Sequence, residues 1–420
     1  MKHSKFPFKI ALFLLCITAF QACKKKDTTD KPYVDPYYIP SAVDSVWRSK
    51  LTAGNFSLLN SNNDVVVSGL LYDSVPVIKL LDGVTGQVKW SWDDYEKGYG
   101  FAPEYLVYED HLIVGNGRFS YALNMLTGNT IWKHKFENLN GVSKIFKDDE
   151  YVYQELKNEK NNYETHIYRT KYNQLNWQLV CTFQDSTLTM DRLSIHTITF
   201  SKNESGQKLV VFPVSNNSTG SNYIYLCAFN TVTQQYEWVQ NFSKKFYDFG
   251  NVYANGDKIF AIIWNGSNSK IAAFNKVDGS VVWDKELEQH GTSFYLYNDK
   301  LIVSVDQGVL QKSTLLCLTQ NSGSVVWKAD FNYLNNTQEV SINFNGNDQT
   351  YFKNYLFSAQ CKNLLVVDLD NGSVFFNKQA AFRNCCLQGK ISINEQQAWF
   401  YANDGYYTNC YKLPTGLKFK

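Results

Sequence analysis

Seven times along this chain a short apolar strand runs into a polar turn, and eight positions after the first residue of the turn stands a large aromatic side chain. The fullest copies run from Asp82 to Trp90, Asn124 to Trp132, Asn275 to Trp283 and Thr319 to Trp327, with Gly86, Gly128, Gly279 and Gly323 at the same place in each turn. Weaker copies end at Trp177 and Trp238, and Phe376 takes the aromatic place after Asp368 and Gly372. Successive closing aromatics lie between 42 residues (Trp90 to Trp132) and 61 residues (Trp177 to Trp238) apart. Self-similarity at this period points to a repeat architecture, in which each unit is one supersecondary element that cannot bury its apolar face alone.

The residues between two closing aromatics define that unit. After Trp90, the runs 104–109, 111–115, 119–123 and 130–135 are separated by Glu109-Asp110, Asn116-Gly117 and the turn 124–128. Four short runs joined by tight polar turns read as an up-and-down antiparallel sheet. The stretch after Trp238 reads the same way, and no window outside the N-terminus has helical periodicity over an ordinary helix length. Radial packing turns such sheets into propeller blades. Asp or Asn opening the turn can bond its own backbone, Gly supplies a positive φ, and the aromatic offers a wide face to the neighbouring blade.

The seven aromatics give seven blades, and the runs 390–393, 398–401 and 407–411 add an eighth. Trp47 stands 43 residues before Trp90, so Ser45 to Lys50 reads as a last strand without the rest of its blade, free to close the ring against the C-terminal strands. Leu417 to Lys420 competes for that outer place. The reading is all-β: an eight-bladed propeller of four-stranded antiparallel blades over 41–420. Its tryptophan-docking positions are Trp47, Trp90, Trp132, Trp177, Trp238, Trp283, Trp327 and Phe376. The long interval before Trp238, holding Gln184 to Arg192 and Ser215 to Asn222, makes blade 4 the one with extended loops. Two residues before each turn lies a small or aliphatic slot: Leu80, Ala122, Ile167, Ala228, Ala273, Cys317, Val366 and Cys410. Cys317 and Cys410 therefore read as small buried hydrophobes.

Composition agrees with one large β domain. Apolar residues are 44% and charged residues 19%, while aromatics reach 16%, which suits strands. A net charge of +2 without a basic stripe argues against nucleic acid as a partner. At the N-terminus Lys2, Lys5 and Lys9 precede the apolar run from Ile10 to Phe20, which is short for a membrane span and reads as a signal segment. Phe20-Gln-Ala-Cys23 resembles a bacterial lipobox, which implies cleavage after Ala22 and a lipid on Cys23. Residues 1–22 are then the signal peptide and 23–40 a flexible, charged tether carrying Lys24-Lys25-Lys26. By the same resemblance the chain is anchored at the outer membrane. Of the nine cysteines, Cys16 leaves with the signal and Cys23 is lipidated, so seven remain and at least one has no partner within the chain.

The motif small-x-Asp-x-x-Thr-Gly-x-x-x-Trp is similar to the tryptophan-docking repeat of quinoprotein-like propellers. That is the fold of pyrroloquinoline-quinone alcohol dehydrogenases and of BamB-type outer-membrane assembly lipoproteins, which have no known catalytic role. The resemblance covers roughly Ser45 to Lys420 and implies the fold more strongly than any activity. The dehydrogenases carry a vicinal disulfide beside their cofactor, so Cys385 and Cys386 form a candidate vicinal pair; here they fall late in the propeller, and a bridge between adjacent cysteines distorts the intervening peptide. No assignable calcium ligand set with a catalytic Asp, no Cys-x-x-Cys-His run and no Gly-x-Ser-x-Gly elbow is present. His3, His111, His134, His166, His196 and His290 are scattered outside any zinc-ligand spacing, and Asp368-Leu-Asp370-Asn371-Gly372 is the repeat's own turn rather than a calcium loop. The sequence thus predicts no cofactor, no metal and no catalytic residue. It predicts a monomeric scaffold for envelope or outer-membrane proteins, with a quinoprotein dehydrogenase and a surface glycan-binding lipoprotein as the alternatives.

Overall fold

The computed structural model describes residues 45–50, 59–61, 63–70, 76–96, 104–140, 144–158, 164–184, 193–195, 197–216, 224–242, 248–265, 268–287, 290–307, 312–332, 349–360, 363–379, 391–403 and 407–420. Every regular element among them is a strand. The strands form eight antiparallel sheets, and we number the blades along the chain and letter their strands a to d. Blade 1 is Leu59–Ser61, Asp64–Leu70, Pro76–Leu81 and Val88–Trp92; blade 2 is Glu104–Tyr108, His111–Asn116, Phe119–Asn124 and Thr130–Lys135. Blades 5, 6 and 7 repeat this plan over 248–287, 290–332 and 349–379. In blades 3 and 4 the a position is split into two short strands, Leu139–Asn140 with Ile145–Lys147 and Leu193–Ser194 with Thr199–Lys202.

Blade 8 contains Ser392–Asn394, Trp399–Asn403 and Tyr407–Lys412, and its outer strand is Ser45–Lys50 from the other end of the chain. Ser45 pairs with Tyr411 and Lys50 with Tyr407, so the two termini close the ring through one strand pair. The competing tail forms no strand. Phe419 instead packs edge-on against Phe352 and Tyr355 of blade 7, and the Lys420 amide donates to Asn354 Oδ1 at 3.1 Å. Closure by the N-terminal strand uses a partner already half-buried by its aromatic, whereas the tail offers only one apolar pair.

Alternation within strands explains where the core sits. Central b and c strands read as continuous apolar runs because both faces meet a neighbouring blade, as in Val65-Val66-Val67 and Leu112-Ile113-Val114, all fully buried. Outer d strands alternate: in 281–287 only the last residue, Leu287, is buried. The slot residues pair in register with the closing aromatics: Leu80 with Trp90, Ala122 with Trp132, Ala228 with Trp238, Ala273 with Trp283, Cys317 with Trp327, Val366 with Phe376 and Cys410 with Trp47. Each pairing sits beside a bulge in the d strand, which re-aims the aromatic toward the next blade. Cys317 and Cys410 are fully buried in these slots, and burial pushes their thiols up to about 11 and about 12. Cys23, Cys385 and Cys386 lie outside the described residues.

Candidate functional site

The regular seam between two blades has a fixed chemistry. The indole of the closing tryptophan donates to the carbonyl of the second residue of the next blade's c-to-d turn: Trp47 to Gly83 and Trp90 to Met125 at 2.8 Å, and Trp238 to Lys276 and Trp283 to Gln320 at 3.0 Å; Trp132 donates further along the longer turn of blade 3, to Tyr172 at 3.2 Å. Three residues further on, the turn glycine lies flat against the ring. A Cβ on Gly86 would stand 2.4 Å from Cε3 of Trp47, and the glycine has φ +71°. The turn is held open by its first residue, as Asp82 Oδ1 accepts from the amides of Val84 at 3.0 Å and Thr85 at 2.8 Å. Asn124 and Asn230 accept in the same way. Trp327 lies on Gly372 in the same pose, yet its buried indole nitrogen has no acceptor. At the last seam Phe376 has no N–H to donate, and the nearest ring to Gly416 is Phe375, at 3.5 Å from a built Cβ.

The seam between blades 3 and 4 departs from this rule. Leu80 and Trp90 are ten residues apart, but in blade 3 Ile167 pairs with Cys181, fourteen residues on. The hairpin is four residues longer, so Trp177, expected from spacing to be the closing aromatic, is left inside the hairpin loop. It packs toward the preceding blade, edge-on to Trp132 at 6.3 Å and to Phe136 at 5.1 Å, with a buried indole nitrogen that meets no acceptor. Cys181 fills its register position. On the facing blade, Gln234 occupies the glycine place with φ 56°, so a Cβ stands where the indole would lie.

Another aromatic from the opposite blade compensates. Tyr236 pairs with Phe229 at the position that is Val88 in blade 1 and Val281 in blade 5, both exposed. Its hydroxyl donates to the Thr182 carbonyl at 2.9 Å, and its ring meets Phe229 at 5.1 Å and Phe183 at 6.4 Å. A single tyrosine ring does not refill the space of a docked indole. Beside Tyr236 lies an open groove of about 440 Å³ lined by Thr182, Phe183, Gln184, Tyr225, Tyr236 and Val239. The outer strand Gln178–Gln184 beside it is hydrogen-bonded on one side only.

The floor of this seam is buried and chemically quiet. Burial pushes the Cys181 thiol up to about 12 and the Cys227 thiol well above its ordinary value, so neither is a nucleophile near neutral pH. Burial likewise raises the Glu155 carboxyl, which accepts from the Ile195 amide at 3.1 Å and the Thr165 hydroxyl at 3.3 Å. Asp148, although burial opposes its charge, is held below its ordinary value by the Glu150 amide, Tyr153 hydroxyl and Lys208 ammonium, at 2.7, 2.7 and 3.0 Å. Among the described residues no three His, Cys, Asp or Glu side chains converge in a way that could hold a metal. No described helix is long and apolar enough to cross a membrane.

Sequence spacing misassigned this seam because eight positions separate Arg169 from Trp177, as in the regular copies. Two signals were present: Arg169 is neither Asp nor Asn, and no glycine stands at position 173 or 234.

Comparison with known proteins places the chain among propellers. Residues 226–384, which run from blade 4 through blade 7, match the family model described as outer membrane protein assembly factor BamB. None of the curated proteins matches by sequence. BamB from Moraxella catarrhalis is 11% identical, with a TM-score of 0.51 over 87% of this chain and all of that one. A quinohemoprotein alcohol dehydrogenase from Pseudomonas putida is 10% identical, with a TM-score of 0.60 over 92% of this chain and 79% of that one. Sqt1 from Saccharomyces cerevisiae reaches 0.61 at 9% identity, over 90% of this chain and all of that one. Identities this low speak for the shared fold and leave activity to the site.

Proposed function

We propose that this protein is a non-catalytic scaffold of the cell envelope, anchored to the outer membrane through a lipid on Cys23, that holds an extended segment of another envelope protein at the seam between blades 3 and 4. The observation that carries the proposal is the coincidence, at one seam, of a displaced tryptophan, a non-glycine turn and an apolar groove beside a strand edge. An extended segment laid along Gln178–Gln184 would bond to backbone groups of that edge other than the Thr182 carbonyl, which Tyr236 holds, and seat one large apolar side chain between Phe183 and Tyr236. The match of 226–384 to the BamB family supports a role in outer-membrane protein assembly, and it includes most of the last two strands of blade 4, with Tyr236 and Val239. The thiols at the floor of this seam, Cys181 and Cys227, are buried and raised, which fits a packing role.

Gentle extraction of the lipidated protein tests this. Outer-membrane proteins are expected to co-purify with the native chain and with Val326→Asp, which alters an equally exposed valine on a regular blade, and to be lost from Val239→Asp. Equal recovery by both variants, or dye-linked alcohol oxidation after loading with pyrroloquinoline quinone and calcium, would overturn the proposal. Saturable binding on a glycan array would do the same in favour of a sugar ligand.

A further inference from the structure

The third residue of each c-to-d turn shows a pattern that the fold does not require. It is Val84, Leu126, Val232 and Val277 in blades 1, 2, 4 and 5, and these side chains are 51%, 86%, 63% and 51% exposed. The longer turn of blade 3 exposes Leu175 as well, at 51%. In blades 6 and 7 the same position holds Asn321 and Asp370. The backbone is alike in both sets: the amides of Val84, Leu126, Val232 and Val277 are bonded to the first residue of their turns at 2.9 to 3.0 Å, and the amide of Asp370 to Asp368 at 2.8 Å. A polar residue therefore serves the turn equally well. Single exposed aliphatics need no explanation, but here they recur at one structural position in four blades, and the longer turn of the blade between them adds Leu175, forming an arc on one face of the ring.

The chain enters the propeller at that face. Ser45 pairs with Tyr411, near the C-terminal end of strand c of blade 8, and Trp47 docks on Gly83, the residue before Val84. From Cys23 to Ser45 there are 21 intervening residues. A chain of that length spans at most ~70 Å. The first strand of the ring thus begins at the face that carries the aliphatic arc.

We propose that the turn face of blades 1 to 5 rests on the surface of the anchoring bilayer, with Val84, Leu126, Leu175, Val232 and Val277 dipping into the boundary between headgroups and acyl chains. This rests on the lipid-anchor reading given above. Contact of several aliphatic tips adds to the tether, because a single lipid chain binds a membrane only marginally and a second attachment makes it stable. It would also fix the propeller's orientation, leaving the blade 3–4 groove at the ring's outer edge open to partners.

Amide hydrogen exchange on the full lipidated protein, in vesicles of phosphatidylethanolamine and phosphatidylglycerol and vesicle-free as Cys23→Ser, decides the matter. Turns 82–86, 124–128, 230–234 and 275–279 are expected to exchange at least fivefold more slowly on vesicles, with turns 319–323 and 368–372 unchanged. The fourfold variant V84N/L126N/V232N/V277N, which installs the residue already found at Asn321, should keep the thermal midpoint and lose the protection. Uniform change at all six turns, no change at any, or protection that appears only when an envelope protein is added would overturn the proposal. If Cys23 carries no lipid, a histidine tag in its place on nickel-chelating lipid supplies the tether. The anchor reading then fails by mass while the turns still answer.

Discussion

Gly86 and Gln234 occupy the same turn position in two blades and meet opposite surroundings. At Gly86 a methyl group would clash with Trp47 and strain a positive φ; Gly86→Ala should cost on the order of 2–3 kcal/mol in urea unfolding. At Gln234 no indole docks and the side chain merely endures φ 56°, so Gln234→Gly should stabilise by ~1 kcal/mol. A second contrast isolates the indole hydrogen bond. Trp283 donates to Gln320, whereas the Trp327 nitrogen is buried without a partner. Replacement by Phe should therefore cost about 1 kcal/mol more at Trp283 than at Trp327. Glu155 gives a pH signature. Burial raises its carboxyl, so the folded chain binds that proton more tightly than the unfolded chain. Stability then falls as pH rises through the window between the ordinary carboxylate value and the raised one, and Glu155→Gln should flatten the fall in denaturation curves recorded across it.

Among the elements, the hairpins divide into regular ones, whose length is written in their turn residues, and the hairpin of blade 3. Tyr236→Phe tests the compensation at that seam: loss of the bond to Thr182 should cost about 1 kcal/mol and raise the exchange of the Gln178–Gln184 amides. Most hairpins were legible in the sequence because Asp or Asn, then Gly, then Trp impose one register between slot and aromatic, as at Leu80 and Trp90. Blade 3 was not, because its register is set by packing inside the seam. Ile167 faces Cys181 there, and a four-residue change in loop length leaves no mark on an eight-residue spacing. Tyr236 was invisible for a related reason: its strand position is ordinary, and only the missing indole across the seam gives it a task. The groove follows from both departures together, so neither blade's sequence alone announces it.

For the molecule as a ring, stability is shared through closure. The Ser45–Lys50 strand completes blade 8, and Trp47 ties it to blade 1. Truncation through residue 44 should leave the thermal midpoint unchanged, whereas truncation through residue 50 strips blade 8 of its outer strand and should lower the midpoint by several degrees. Trp47 was readable as the closing strand from its 43-residue distance to Trp90, while the outcome of its competition with the tail depended on Phe419 finding Tyr355. The account's central claim is that a ring of otherwise similar seams has one, between blades 3 and 4, built to receive a partner. Site-specific photo-crosslinking in living cells tests it most directly, with the probe placed in turn at Val239 and at its counterparts on regular blades, Lys133, Asp284 and Lys328. The account predicts a crosslinked envelope protein from Val239 and none from the other three; equal crosslinking at all four positions, or at a regular blade alone, would contradict it.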